Sequence, residues 1–142
     1  MNLRSLGVTG LLLISLTACD RMPSPSTPTP TPGPMSAFVG TWRSSGAAGA
    51  CTAMNWTVTQ VTASTATIAY TTTCAGVPVS GTANGTLNGT TMNWTTSGTA
   101  AAVCPFALAG TAAPAAVATD LNITYSGTVC GAPTSGSDTL HR

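Results

Sequence analysis

From residue 35 to residue 142, large apolar side chains recur at every second position and hydroxyl residues fill the places between. Met54, Trp56 and Val58 alternate with Asn55, Thr57 and Thr59. Ile68 and Tyr70 share a face with Ala66 and Thr72, Phe106 and Leu108 flank Ala107, and Leu121, Ile123, Tyr125 and Val129 keep one parity. A period of two sends successive side chains to opposite faces of a strand. Threonine occupies 23 of these 108 positions, and threonine on a wet face with aromatics on a dry one is the pattern of a half-buried antiparallel sheet. No segment carries an apolar stripe of helical period. The chain is all-β.

Charge narrows the function classes. The only charged residues are Arg4, Arg21, Arg43, Arg142, Asp20, Asp120 and Asp138, with no lysine and no glutamate. Nucleic acid needs clustered basic side chains and is excluded as a partner. Acid–base catalysis loses most of its usual groups.

The alternation divides the domain into eight strands at 38–44, 51–61, 66–75, 77–87, 90–100, 103–111, 120–130 and 134–142. Connections this short predict an up-and-down meander, which can close as a barrel or, alternatively, pack as a β-sandwich. Asn88-Gly89 reads as a two-residue hairpin loop. That register sets Gly85 opposite Met92 and Ala83 opposite Trp94, small against large. Met54-Asn55-Trp56-Thr57 recurs as Met92-Asn93-Trp94-Thr95, three strands later.

The domain opens Phe38-Val39-Gly40-Thr41-Trp42. A G-x-W on the first strand of an eight-stranded meander is similar to the start of the calycin barrels, lipocalins and avidin-like proteins among them. The resemblance implies that Trp42 plugs one end of the barrel and that Arg142, on the last strand, packs over its ring as a cation–π contact. It implies a fold and names no ligand.

The N-terminus carries an address. Met1 to Arg4 is a short n-region with one positive charge, and Leu6 to Leu16 is an apolar run of eleven residues. As a helix that run rises roughly 16 Å, about half of a hydrocarbon core, so it reads as a secretory h-region. Leu16-Thr17-Ala18-Cys19 closes it and resembles the lipobox of bacterial lipoproteins. The resemblance implies a thioether-linked diacylglyceryl on Cys19, cleavage before it, and an acyl chain on the new terminus. Two or three chains anchor stably. The expected partner is therefore the membrane, through the lipid anchor, and the expected location is the bacterial cell envelope. In enteric bacteria an aspartate in the place of Asp20 marks inner-membrane retention; here the choice of membrane stays open.

Met22 to Pro34 alternates proline with Ser, Thr or Gly. Such a stretch is an extended spacer of about 35–40 Å. The chain thus divides into a signal peptide (1–18), a lipidated cysteine with a linker (19–34) and one all-β domain (35–142).

Cys51, Cys74, Cys104 and Cys130 are an even set in an exported chain, which predicts two disulfides. Metal ligation is disfavoured by the lack of any C-x-x-C and by a single histidine. Of three connectivities, the strand map selects Cys51–Cys74 and Cys104–Cys130, each across a hairpin at one end of the barrel. Cys51 is out of phase with Trp56, and Cys130 with Tyr125, so each pair requires a bulge or a frayed end. Each bond should contribute roughly 3 kcal/mol by the chain-entropy model.

Asp138, His141, Ser135 and Ser137 allow a hydrolytic triad to be sketched, but no G-x-S-x-G elbow accompanies them. Asp120 reads as a turn residue. The domain is expected to be non-enzymatic, with no catalytic residue, metal or cofactor. Trp56, Tyr70, Trp94, Phe106 and Tyr125 are what a small apolar ligand would meet, and equally what a barrel uses to fill itself. Gly81, Ala83, Gly85 and Gly110, on inward faces, either leave room for a ligand or let the sheet close tightly. Two functions follow: an envelope protein with a structural or protein-interaction role, or a carrier of a small apolar ligand.

Overall fold

The computed structural model describes residues 34–44, 46 and 49–142. The segments expected as signal peptide, lipidated Cys19 and linker, up to residue 33, lie outside the described residues. Eight strands follow in order: β1 (Gly40–Ser44), β2 (Cys51–Gln60), β3 (Thr65–Cys74), β4 (Val77–Asn88), β5 (Thr91–Ala100), β6 (Cys104–Pro114), β7 (Asp120–Val129) and β8 (Ala132–His141). Each pairs antiparallel with the next, and β8 returns to β1, giving a closed barrel. The meander is a barrel and not a sandwich. Closure is brief, through Arg43 opposite His141 and Ser44 opposite Leu140.

Alternation sorts the two faces as a period of two requires. The inward set includes Trp42, Ile68, Met92, Leu121 and Leu140, each with no exposed area. Outward positions of the same strands carry Thr57, Thr59, Thr71, Thr95, Thr124 and Ser135, all exposed. A membrane-spanning barrel turns an apolar band outward; this wall is mostly hydroxyl-bearing. Among the described residues no helix is long and apolar enough to cross a membrane.

The first strand begins later than the alternation suggests. Pro34–Ala37 forms a 3-10 turn, and the Phe38 amide donates to the Met35 carbonyl at 3.0 Å. Proline fixes the backbone for such a turn, and Met35 and Phe38 are buried at this end of the barrel. At the other end of the series, β6 runs on to Pro114, where Pro114 stands opposite Leu121.

The β4–β5 hairpin differs from the expected register by two. Leu87 pairs with Met92, Gly85 with Trp94, and Asn88 with Thr91. The loop is therefore Gly89-Thr90 rather than Asn88-Gly89. Gly89 has φ +62, while Asn88 and Thr90 are outside the positive-φ set. Glycine alone in the first loop position is the sign pattern of a type II′ turn, whereas Asn-Gly would need both residues there. A shift of two preserves the faces, so the core is unchanged.

Disulfides join Cys51 to Cys74 and Cys104 to Cys130. Cys51 and Cys74 are register partners. The phase between Cys51 and Trp56 is absorbed by a bulge between Thr52 and Asn55, where Ala53 takes φ 52. Cys130 leaves the ladder one residue after Val129 and takes φ 52, its amide donating to the Pro105 carbonyl at 2.9 Å. Both bonds lie at one end of the barrel; Met35, Phe38 and Trp42 lie at the other.

Candidate functional site

The interior is the first place to look for chemistry. The repeated M-N-W-T segments carry Trp56 on β2 and Trp94 on β5, and the two indoles meet inside the barrel. Their centroids are 5.2 Å apart and the planes stand at 81°, an edge-to-face pair. Such pairs are worth about 0.5–1.5 kcal/mol beyond the area they bury. Around them Met54, Tyr70, Thr72, Ala83, Leu108 and Tyr125 enclose a residual cavity of about 20 Å³. Four of the five aromatics that the sequence offers as ligand contacts line this space. Phe106 does not: it is buried beside its register partner Gly98, nearer the disulfide end.

The polar groups of the cavity wall are mostly engaged elsewhere. The Tyr125 hydroxyl accepts the Cys51 amide at 2.8 Å. The Thr72 hydroxyl donates to the Thr52 carbonyl at 2.9 Å. Tyr70 and Thr96 share a hydrogen bond of 3.0 Å between hydroxyls. Burial pushes the Tyr70 phenol above its usual value, with the Thr96 bond acting the other way. Among the described residues two buried side-chain atoms lack a hydrogen-bond partner, Trp94 Nε1 and Asp138 Oδ2.

The plugged end is the second place. Trp42 Nε1 donates to the Phe38 carbonyl at 2.7 Å. The Arg142 guanidinium carbon lies 4.3 Å from the centre of the Trp42 ring, and its Nη2 donates to the carbonyls of Ala37 at 3.2 Å and Val39 at 2.7 Å. The Arg142 amide donates to the Thr119 carbonyl at 2.9 Å. Three hydrogen bonds thus fix Arg142 over the ring.

Beside this plug, on the outer wall, His141 Nδ1 stands 2.9 Å from Asp120 Oδ1. Asp120 is the first residue of β7 and the register partner of His141. It is therefore more than the turn residue the sequence suggests. The carboxylate of the sketched triad, Asp138, points the other way, since it shares parity with buried Leu140 and accepts the Thr139 amide at 2.8 Å. The structure does not bring Asp138 and His141 together. Among the described residues no group of three metal-ligating side chains occurs.

The hydrogen bond from His141 holds the Asp120 carboxyl below its ordinary value, with desolvation opposing and the Thr119 hydroxyl assisting. A carboxyl depressed in the folded state stabilises the fold above its unfolded pKa of about 3.9 and loses that contribution as pH falls through the folded value. Asp120→Asn should therefore weaken the barrel at pH 6 and flatten the acid limb below about pH 4, so that the two proteins converge as pH falls through the folded-state value of Asp120. Urea midpoints measured across that range check it. A constant gap at every pH would remove the His141–Asp120 bond from the account.

No family model and no curated protein matches the chain. A solved structure is similar, that of EF1p2_mFAP2b bound to DFHBI, at 18% identity and a TM-score of 0.58. The match covers 76% of this chain and 95% of that one. At that identity the likeness concerns the fold: a small, closed, antiparallel β-barrel. The two disulfides add a setting, since such bonds persist in oxidising, non-cytoplasmic compartments.

Proposed function

We propose that this chain is a non-enzymatic, lipid-anchored protein of the bacterial cell envelope, whose barrel works through its outer surface and not through its interior. The observation that carries the reading is how full the barrel is. A cavity of about 20 Å³ has room for about one water, whereas small-molecule sites run to about 300–1,000 Å³. The aromatic side chains that could wall a ligand site fill it instead. Anchoring is supported by Leu16-Thr17-Ala18-Cys19 and by the proline-rich spacer after it. Export is supported by the two disulfides. A hydroxyl-rich wall with few charges suits contact with uncharged surfaces, so the partner is an envelope protein met by the outside of the barrel.

A second reading, a carrier of a small apolar ligand, has its own observation. Trp94 Nε1 is buried without a partner in the wall of that cavity, and the similar barrel is bound to DFHBI. For a carrier the indoles would have to move apart to admit anything larger than water.

Native mass spectrometry of the protein extracted from membranes separates the two. The first reading expects acylation on Cys19, a loss of four hydrogens for the two disulfides, and no further mass. A reproducible non-covalent ligand would transfer the protein to the carrier class. An unacylated Cys19 would remove the anchor.

A further inference from the structure

The two disulfides are unequal in their surroundings. Cys51 and Cys74 have no exposed area. They face each other as the last rung of the β2–β3 ladder, and one further backbone bond lies beyond them, the Ala75 amide donating to the Ala50 carbonyl at 2.9 Å. The Cys51 amide is held from below by the Tyr125 hydroxyl. An attacking thiolate can reach that bond only after the end of the barrel has opened.

Cys104–Cys130 is built differently. Cys104 is 5% exposed, but Cys130 is an exposed residue in the turn between β7 and β8. The turn facing it, Ala101–Val103, contains two alanines in the left-handed region, at φ 47 and φ 64, and ends on Val103, which is 84% exposed. Cys130 is itself at φ 52. Non-glycine residues there are held against a steric cost, as Ala53 and Ala75 are beside the other bond, so exposure and not backbone strain separates the two disulfides. Ladder pairing of β6 with β7 ends at Phe106 opposite Val129, and beyond it the Cys130 amide donates to the Pro105 carbonyl, so this bond lies just outside its ladder whereas Cys51–Cys74 is a rung of its own.

We propose that Cys104–Cys130 is a thiol-exchange site and that the Cys130 sulfur is the atom attacked, while Cys51–Cys74 is a permanent structural bond. A thiolate bonds to Cys130 Sγ, the disulfide breaks, and Cys104 leaves as a thiolate that takes a proton from water. With a monothiol the product is a mixed disulfide on Cys130. With a dithiol, the second thiolate attacks the dithiol's own sulfur in that mixed bond and expels Cys130 as a thiolate; the dithiol is oxidised by two electrons and the cystine reduced by two. The reactive partner is thus defined by chemistry, a low-molecular-weight thiol or a dithiol oxidoreductase of the same compartment.

The test uses the oxidised full chain under native conditions, with dithiothreitol in one arm and glutathione in the other. Samples are quenched by alkylation at intervals and mapped by peptide mass. Accessibility governs exchange, so Cys104 and Cys130 should become alkylated about tenfold or more faster than Cys51 and Cys74, with near-ultraviolet dichroism unchanged during the fast phase. Glutathione should be found on Cys130. Reduction of both bonds at one rate that tracks loss of the dichroism would overturn the proposal, and so would earlier reduction of Cys51–Cys74. Glutathione on Cys104 would overturn the assignment of the attacked atom.

Discussion

Trp42→Ala should cost about 4 kcal/mol, a large share of the margin of a domain whose stability is expected at about 5–15 kcal/mol. Three separate losses combine. The indole has no exposed area and stands opposite Trp56 in the β1–β2 register, so its removal opens a large cavity at the closed end of the barrel. The Phe38 carbonyl loses the indole N–H. Arg142 loses the ring beneath it, a contact of about 0.5–1 kcal/mol at a partly exposed site. The melting temperature should fall by about 15 °C or more. Smaller changes divide the effect: Trp42→Phe keeps a ring under Arg142 and should cost about 1–2 kcal/mol for the lost donor, and Arg142→Ala about 1 kcal/mol. Urea melts of the three variants give the comparison. If Trp42→Ala costs no more than Arg142→Ala, the residue does not plug the barrel.

What the sequence makes legible is parity, and parity goes far in a barrel. Whether a residue faces in or out depends only on the alternation of its own strand. For that reason the eight strands, their meander order and the inward aromatics can be read from Thr57, Thr59, Trp56 and Val58 and their equivalents. Position along the barrel axis is another matter. It depends on the stagger of each strand against the next, which the turns set. The Asn88-Gly89 signal points to a loop one residue too early, because a type II′ turn needs only Gly89 at positive φ and its neighbours can lie elsewhere. The same gap separates Phe106 from the cavity that Trp56, Tyr70, Trp94 and Tyr125 surround: its face is readable, its depth is not. Asp120 and His141 lie 21 residues apart in the chain and meet only because β7 and β8 pair in one register out of several that parity allows. The 3-10 turn at Pro34–Ala37 has a local signal in its proline, but Met35 and Phe38 give no period that would mark it as a plug.

Depth along the axis also decides which inward glycines matter, and the sequence treats them alike. At Gly110, on β6 between Trp94 and Tyr125 in register, an added Cβ would overlap the Thr124 carbonyl of β7 and press on the Trp94 ring. The obstruction is backbone, so the strands themselves must separate. At Gly85 the obstruction is the Met92 side chain, whose thioether can swing aside. At Gly81 an added Cβ would sit 3.4 Å from the Tyr70 hydroxyl, and the position is exposed. Alanine in place of glycine also stiffens the unfolded chain, a gain of about 0.4–1 kcal/mol where the native backbone accepts it. The three substitutions should therefore separate widely. Gly110→Ala should cost about 3 kcal/mol, the upper range of overpacking. Gly85→Ala should cost about 1 kcal/mol, as a flexible neighbour moves. Gly81→Ala should change stability by no more than about 0.5 kcal/mol, in either direction. Denaturation midpoints of the three variants, with Trp fluorescence as the probe, read both the loss and its location, since a Gly110→Ala chain that still folds must move the Trp94 indole. Equal costs at Gly81 and Gly110 would mean that the barrel yields at β6–β7 as readily as at its exposed positions, and that the tight approach of those two strands does not hold the Trp56–Trp94 pair together.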